Sequence, residues 1–375
     1  MRDIPLIKDA CAAVGRENAA SAAPAGMTRF TCRPATEETT LDWKKKIITA
    51  AMAVGLGLSG FAAQAFTLKV SSPTNNDSIL KWMETFKEGV ESGSQGKINV
   101  ELYPANQLGQ IPATVEGVVF GTIEVTAPAS GFFVKLDPRF EVFDVPGLFK
   151  SFENAQQVLS DPEILERIST YGNDKGVTTI AAFPHGPLAL LTMDGVRKVA
   201  DLKGKKIRVA GPSPLYVAPY KKMEAAPVSM ALGEVLPAMQ TRTVDGLLAG
   251  VPVYTTGKFY DVAKPMTILP QSYLIVTAVA SNAFLDKVGP DLAKVVREAA
   301  VKALPVTNEW NRTAVNKAFD IWKQNGGEII DLPDAEQKAY LEAVNAVMPE
   351  VTKANPALRP ELEAFKAAQW RVAGK

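Results

Sequence analysis

Phe66-Thr-Leu-Lys-Val70 alternates apolar and polar residues as a strand does; then, behind Asn76 or Asp77 as a cap, Ile79, Met83, Phe86 and Val90 return at helical spacing. That change of period marks a βα unit, and the pattern repeats along the chain. A second strand is expected over residues 97–102, a helix over 111–120 and a third strand over 122–127, from which a parallel α/β sheet follows. Residues 142–149 are apolar and turn-rich. Helix is expected over 152–171 and strand over 177–183. A second series starts near Leu188, with strands at 205–210, 227–230 and 243–247, helices at 215–223 and 234–240, and a further strand at 271–280. Residues 290–324 read as one long helix that Pro305 should kink. Helices over 334–348 and 359–370 close the chain.

With 375 residues the chain exceeds what a single core usually spans, so two lobes are expected. The fold class is α/β, two-lobed, with the long kinked helix crossing between lobes. Residues 66–187 with about 275–313 form one lobe, and 188–274 with about 314–375 the other. Lys+Arg 41 against Asp+Glu 40 leaves no positive field for a polyanion, which disfavours nucleic acid. A single His and two Cys leave little for a zinc site or for chemistry needing two imidazoles. No metal or cofactor is expected. No G-x-S-x-G elbow or phosphate loop is present either, so an enzyme is not expected.

Residues 1–65 read differently from the rest. Lys44, Lys45 and Lys46 precede the apolar run from Ile47 to Phe61, which ends in Ala63-Gln64-Ala65, the form of a signal-peptidase site. A membrane anchor would need about 20 apolar residues, and strand-like sequence begins at Phe66. Gly55, Gly57 and Gly60 match a dinucleotide fingerprint by letters but lie inside the apolar run with no strand before them. Residues 1–41 look foreign to the fold, and initiation at Leu41 would give a conventional signal. Cys11 and Cys32 both fall there, so the mature chain owes nothing to disulfides. Cleavage after Ala65 leaves 33 basic and 34 acidic residues, a net charge near −1.

Several motifs in order carry a resemblance: Leu108-Gly-Gln110, Phe143-Asp-Val-Pro-Gly-Leu-Phe149, Asp201-Leu-Lys-Gly-Lys-Lys-Ile-Arg-Val209, Pro227-Val-Ser-Met230, Glu234-Val-Leu-Pro-Ala-Met-Gln240, Val244-Asp-Gly246 and Lys258-Phe-Tyr-Asp-Val262. With them the chain resembles the DctP-type substrate-binding proteins of TRAP (tripartite ATP-independent periplasmic) transporters. The resemblance implies a periplasmic receptor whose lobes close on a small organic acid and deliver it to the small and large membrane subunits of a permease. A periplasmic sensor feeding a signalling partner is the alternative. It also implies that Arg208, in the Lys-Ile-Arg-Val strand, pairs with the ligand carboxylate. A guanidinium suits that role because its rigid fork matches two carboxylate oxygens.

Two positions depart from the family pattern. Leu188 stands where a second Arg is frequent, and Ala249 where an Asn contacts ligand in relatives. One Arg with two apolar replacements implies a monocarboxylate, since an unpaired second carboxylate would be costly to bury. Phe132 and Phe133 follow the third strand, where open α/β sheets hold ligands. Trp82 and Phe86 have the spacing of a packed helix face, although Trp82 has a face that can stack on a ligand. Asn75 can cap the following helix or bond a ligand, and Tyr216 and Tyr254 carry phenolic donors. His185 lies at the expected lobe crossover, where a hinge role ranks ahead of ligation.

N-terminal sequencing of protein exported to the periplasm should return Phe66 or a residue within a few positions of it. Intact protein retained in carbonate-washed membranes would favour the anchor instead.

Overall fold

The computed structural model describes residues 65–374. The expected signal segment and both cysteines lie outside the described residues. No helix among those described is long and apolar enough to cross a membrane.

The first βα unit forms as its periodicity requires. Strand β1 (Phe66–Ser71) leads into helix α1 (Ser78–Gly93), which Asp77 caps by accepting from the amides of Ile79 and Leu80. Strand β2 (Ile98–Tyr103), helix α2 (Ile111–Phe120) and the short β3 (Val125–Thr126) follow. The helix expected over 152–171 is two: α3 (Phe152–Leu159) and α4 (Pro162–Ile168). Pro162 cannot donate to the preceding turn, and Asp161 restarts the ladder by accepting from Glu163 and Ile164.

The sheet is mixed, which corrects the expectation of a parallel one. Strand β4 (Val177–Thr192) and strand β8 (Pro265–Ser281) are antiparallel partners from Val177↔Ser281 to Leu191↔Met266. Between them in the chain come β5 (Lys206–Val209), α5 (Pro214–Lys222), β6 (Ala226–Ser229), α6 (Leu232–Gln240), β7 (Gly246–Gly250) and α7 (Val251–Thr256). Strands β1 and β2 join one end of the β4–β8 ribbon through β3, at Val279 and Ala280 of β8. Strands β5, β6 and β7 join the other end through residues 188–192 of β4. The two lobes are the two ends of this ribbon.

The strand expected over 177–183 is longer, running on through Phe183-Pro-His-Gly-Pro187. The strand continues, absorbing the prolines at register shifts between Pro184 and Gly186 and between Pro187 and Ala189. Gly186 is needed at this neck: a Cβ there would stand 2.7 Å from Cδ of Pro252.

After α8 (Asn282–Val288), helix α9 (Pro290–Gln324) runs for 35 residues, about 52 Å, and Pro305 does not end it. Its first half buries Val296, Ala299, Ala300 and Ala303 against Trp82, Phe86 and Val90 of α1. Near its other end Trp322 packs on Tyr254. Midway, the Asn311 amide donates to the carbonyls of Pro184 and His185, 2.8 and 3.2 Å away, and so ties the helix to the neck.

Strand β9 (Glu328–Asp331) pairs with β8, and helices α10 (Asp334–Asn345), α11 (Met348–Ala354) and α12 (Leu358–Ala373) finish the chain. Residues 314–375 do not all stay with the second lobe. Helix α10 buries Tyr340 and Val344 beside Tyr216 and Tyr220, whereas Phe365 of α12 packs on Phe143 and Phe149 at the opposite end. An ion pair from Arg371 to Asp161 fastens α12 there.

Trp82 is fully buried, stacks on Phe86 at 4.9 Å and donates from Nε1 to the Ala300 carbonyl. Trp82→Ala should therefore cost about 3–5 kcal/mol in urea denaturation by emptying the α1–α9 contact.

Candidate functional site

Arg208 lies on β5, and among the described residues its hydrogen-bond partners are two backbone carbonyls beside that strand. Nε donates to the Met230 carbonyl at 3.0 Å, beyond the end of β6, and Nη1 donates to the Leu248 carbonyl of β7 at 3.4 Å. A guanidinium has five N–H donors, so three remain, both on Nη2 among them. The residue is 2 % exposed and makes no ion pair among the described residues. Burial pulls it down to about 10, partly countered by the nearby Tyr254 and Tyr216, so it stays cationic at neutral pH. A desolvated cation without a counter-charge is costly, and an anion reaching its free edge would relieve that cost.

Arg208 lines a small cavity of about 30 Å3, room for roughly two waters. Phe132, Ala249, Thr74 and His185 share its wall with the apolar side chains of Ile79, Ile111, Leu232 and Leu274. A shallower space of about 260 Å3 continues outward past Thr74, with Asn75 at its rim. Residues from the loop after β1 and from α1 therefore meet residues from β5, α6 and β7 across one cleft. A larger depression, about 660 Å3, lies elsewhere, between the start of α1, α7 and α9. It holds no buried cation, so the chemistry favours the smaller cavity.

The structure thus brings Arg208, Phe132 and Ala249 together and leaves Asn75 at the mouth. Asn75 does not cap α1, because Asp77 does; its Oδ1 accepts from the Asn76 amide instead. Phe133 and Trp82 do not face the cavity. Phe133 is fully buried against Phe140 at 5.1 Å, and Trp82 fills the α1–α9 core. Tyr254 does not face it either. Its hydroxyl accepts from the Ala249 amide at 3.0 Å and lies 2.6 and 3.0 Å from the carbonyls of Ala189 and Leu247, pinning β7 to β4.

Tyr216 and Leu188 line a second enclosed space of about 20 Å3 next to Asp144. Asp144 accepts from the Ser130 hydroxyl at 2.9 Å. Burial pushes its carboxyl up to about 7, although the hydroxyls of Ser213, Ser130 and Tyr216 oppose the rise.

The sequence does not single out Thr74. It sits just past the carboxyl end of β1, where an α/β sheet exposes its ligand face, and that position was the available signal. For His185 the sequence ranks a hinge role ahead of ligation, and the structure sets it in the cavity wall. Its Nε2 lies 2.9 Å from Oδ2 of Asp77.

With the site described, comparison with known proteins is informative. The model of the family "Bacterial extracellular solute-binding protein, family 7" (DctP) matches residues 70–355. The 2,3-diketo-L-gulonate-binding periplasmic protein YiaO of Escherichia coli is 27% identical over 288 residues, 76% of this chain and 86% of that protein. The C4-dicarboxylate-binding periplasmic protein DctP of Rhodobacter capsulatus is 27% identical over 310 residues, 82% of this chain and 92% of that protein. A TRAP periplasmic solute-binding protein of Anaerococcus prevotii, solved with bound D-glucuronate, superposes with a TM-score of 0.75 at 25% identity, covering 82% of this chain and 99% of that one.

Asp144 gives a pH dependence whose sign follows from its raised value. In the folded state it holds its proton up to about 7, against 3.8 for an ordinary Asp, so stability is lost as pH rises from about 4 through 7. Asp144→Asn should match wild type in thermal melting near pH 4. Above pH 7 it should be the more stable protein, by up to about 4 kcal/mol. A stability difference that does not change with pH would mean the carboxyl is not desolvated.

Proposed function

Since the chain belongs to the DctP family of bacterial extracellular solute-binding proteins, we propose that it is a periplasmic receptor that captures a small organic monocarboxylate on Arg208 and hands it to the small and large membrane subunits of a TRAP permease. The observation that carries this reading is the buried guanidinium with three unused donors and no counter-charge. A carboxylate can take two of those donors in a bidentate contact, which a lysine could not offer.

A monocarboxylate is favoured because Arg208 is the one cationic side chain lining the cavity. Ala249 adds no polar atom to that wall, and Leu188 lies in the adjoining space, so neither can answer a second carboxylate. Diketogulonate and glucuronate, named for two of the similar proteins, each carry one carboxylate; the Rhodobacter relative is named for dicarboxylates. A volume of about 30 Å3 is far below the several hundred of ordinary ligand sites, so binding requires the cleft to open first. We place the motion at the β4–β8 neck, between a lobe built on residues 66–187 and 275–313 and a lobe built on 188–274.

Arg208→Ala should weaken binding of an acid found by thermal-shift screening by about tenfold to a few hundredfold, the worth of a charge-assisted contact. Arg208→Met should melt higher than wild type without ligand and show no ligand-dependent shift, because it removes an uncompensated buried charge. In the screen, D-glucuronate, lactate and aromatic monocarboxylates should stabilise the protein more than succinate or malate. At about 100 times Kd the gain is roughly 2.7 kcal/mol, and small-angle scattering should show compaction. A strong succinate response, or normal binding by Arg208→Ala, would overturn this assignment.

A further inference from the structure

The cavity wall also contains the only histidine of the chain, fully buried and hydrogen-bonded on one side only. Nε2 of His185 lies 2.9 Å from Oδ2 of Asp77, while Oδ1 of Asp77 receives the Ile79 and Leu80 amides at the start of α1. An ionised carboxylate only accepts, so the ring donates from Nε2. In the neutral imidazole the lone pair then sits on Nδ1. The tautomer is thus set by the partner. Nδ1 itself has no protein partner, and the ring lines the same cavity as Arg208.

Gly250 of the neighbouring strand stands close to Nδ1. A Cβ added to it would stand 2.9 Å from Nδ1 and 3.3 Å from Cβ and Cδ2 of Leu274, and Gly250 has φ −71°, so close packing rather than backbone conformation requires the glycine. Buried polar groups are almost always satisfied, and an acceptor left without a partner on a residue of the cavity wall leaves a place for a donor from the ligand once the cleft opens. Arg208 can only donate and takes the carboxylate. Nδ1 of His185, in the neutral Asp77-bound tautomer, can only accept.

We infer that Nδ1 of His185 accepts a hydrogen bond from a hydroxyl of the bound acid and so selects hydroxylated monocarboxylates over their deoxy counterparts. This rests on the receptor reading and deepens it. The carboxylate is fixed by the guanidinium, and the hydroxyl is read by the imidazole. An acid lacking the hydroxyl would leave Nδ1 buried and unpaired, which is the kind of mismatch that discriminates strongly. A 2-oxo acid would set its carbonyl oxygen against the lone pair and should be rejected as well.

The single histidine makes the test direct. Protein labelled with 15N-histidine gives one imidazole in long-range proton–nitrogen spectra, and in the free protein Nε2 should carry the proton and Nδ1 none. Lactate and mandelate should move the Nδ1 resonance, while propionate and phenylacetate, which differ from them by one hydroxyl, should leave it in place. Wild type should bind each hydroxy acid about tenfold or more tighter than its partner, a difference of about 1.4 kcal/mol. Gly250→Ala, which crowds Nδ1 without touching the Asp77 contact, should shrink that ratio, as should His185→Phe.

A proton on Nδ1 in the free protein would overturn the inference. Equal affinities within both pairs would also overturn it, leaving the receptor reading intact provided the acids still stabilise wild type and fail with Arg208→Ala. If no carboxylate of the panel stabilises wild type, the receptor reading falls and takes this inference with it.

Discussion

A guanidinium removed from water without a counter-charge is the constraint around which the cleft is arranged. Two backbone carbonyls, at Met230 and Leu248, hold Arg208 in place without neutralising it. Because backbone does the positioning, no protein carboxylate competes for the free edge, and the fork is oriented before an anion arrives. The fold makes this possible. Met230 follows the end of β6 and Leu248 lies on β7, so a side chain on β5 between them can reach both. On the proposed receptor reading, closing the lobes on an empty cavity would bury the charge and closing them on an anion would pair it, so binding and closure would be one equilibrium.

How the lobes move depends on the neck. Strands β4 and β8 are long enough to belong to both lobes, and their pairing is interrupted by register shifts around Pro184 and Pro187. Each shift removes regular ladder bonds where a hinge must change its backbone angles. Helix α9 crosses the same region and is tied to it by Asn311, so bending at the neck is linked to the helix that packs on α1 at one end and on Tyr254 at the other.

Local signals read well from the sequence: α2 was expected over 111–120 and α9 over 290–324, and both appear at those bounds. What could not be read was context. The Phe-Pro-His-Gly-Pro stretch carries turn residues, yet its partner β8 holds it as strand, a long-range effect that no local window contains. The same limit applied to the site. Arg208 lay in a recognisable strand. Trp82, Phe133 and Tyr254 were weaker candidates as ligand contacts, and packing shows the first two to be core and the third to be bonded to backbone. Asp77 was legible as a cap, but its second bond to His185 spans 108 positions in the chain.

That second bond joins two tasks in one carboxylate. Oδ1 of Asp77 completes the first turn of α1, and Oδ2 holds the imidazole on the cavity wall. The ring therefore moves with α1, whose Trp82 and Phe86 are locked against α9, and Thr74 lies on the same side three residues before the cap. Arg208 and Ala249 belong to β5 and β7 at the other end of the ribbon. The acceptors and the cation thus stand on opposite sides of the cleft, so on the proposed reading a ligand would satisfy both only with the lobes closed around it. Selectivity would then come from the distance between a carboxylate and a donor on the ligand, measured against the gap the closed lobes leave.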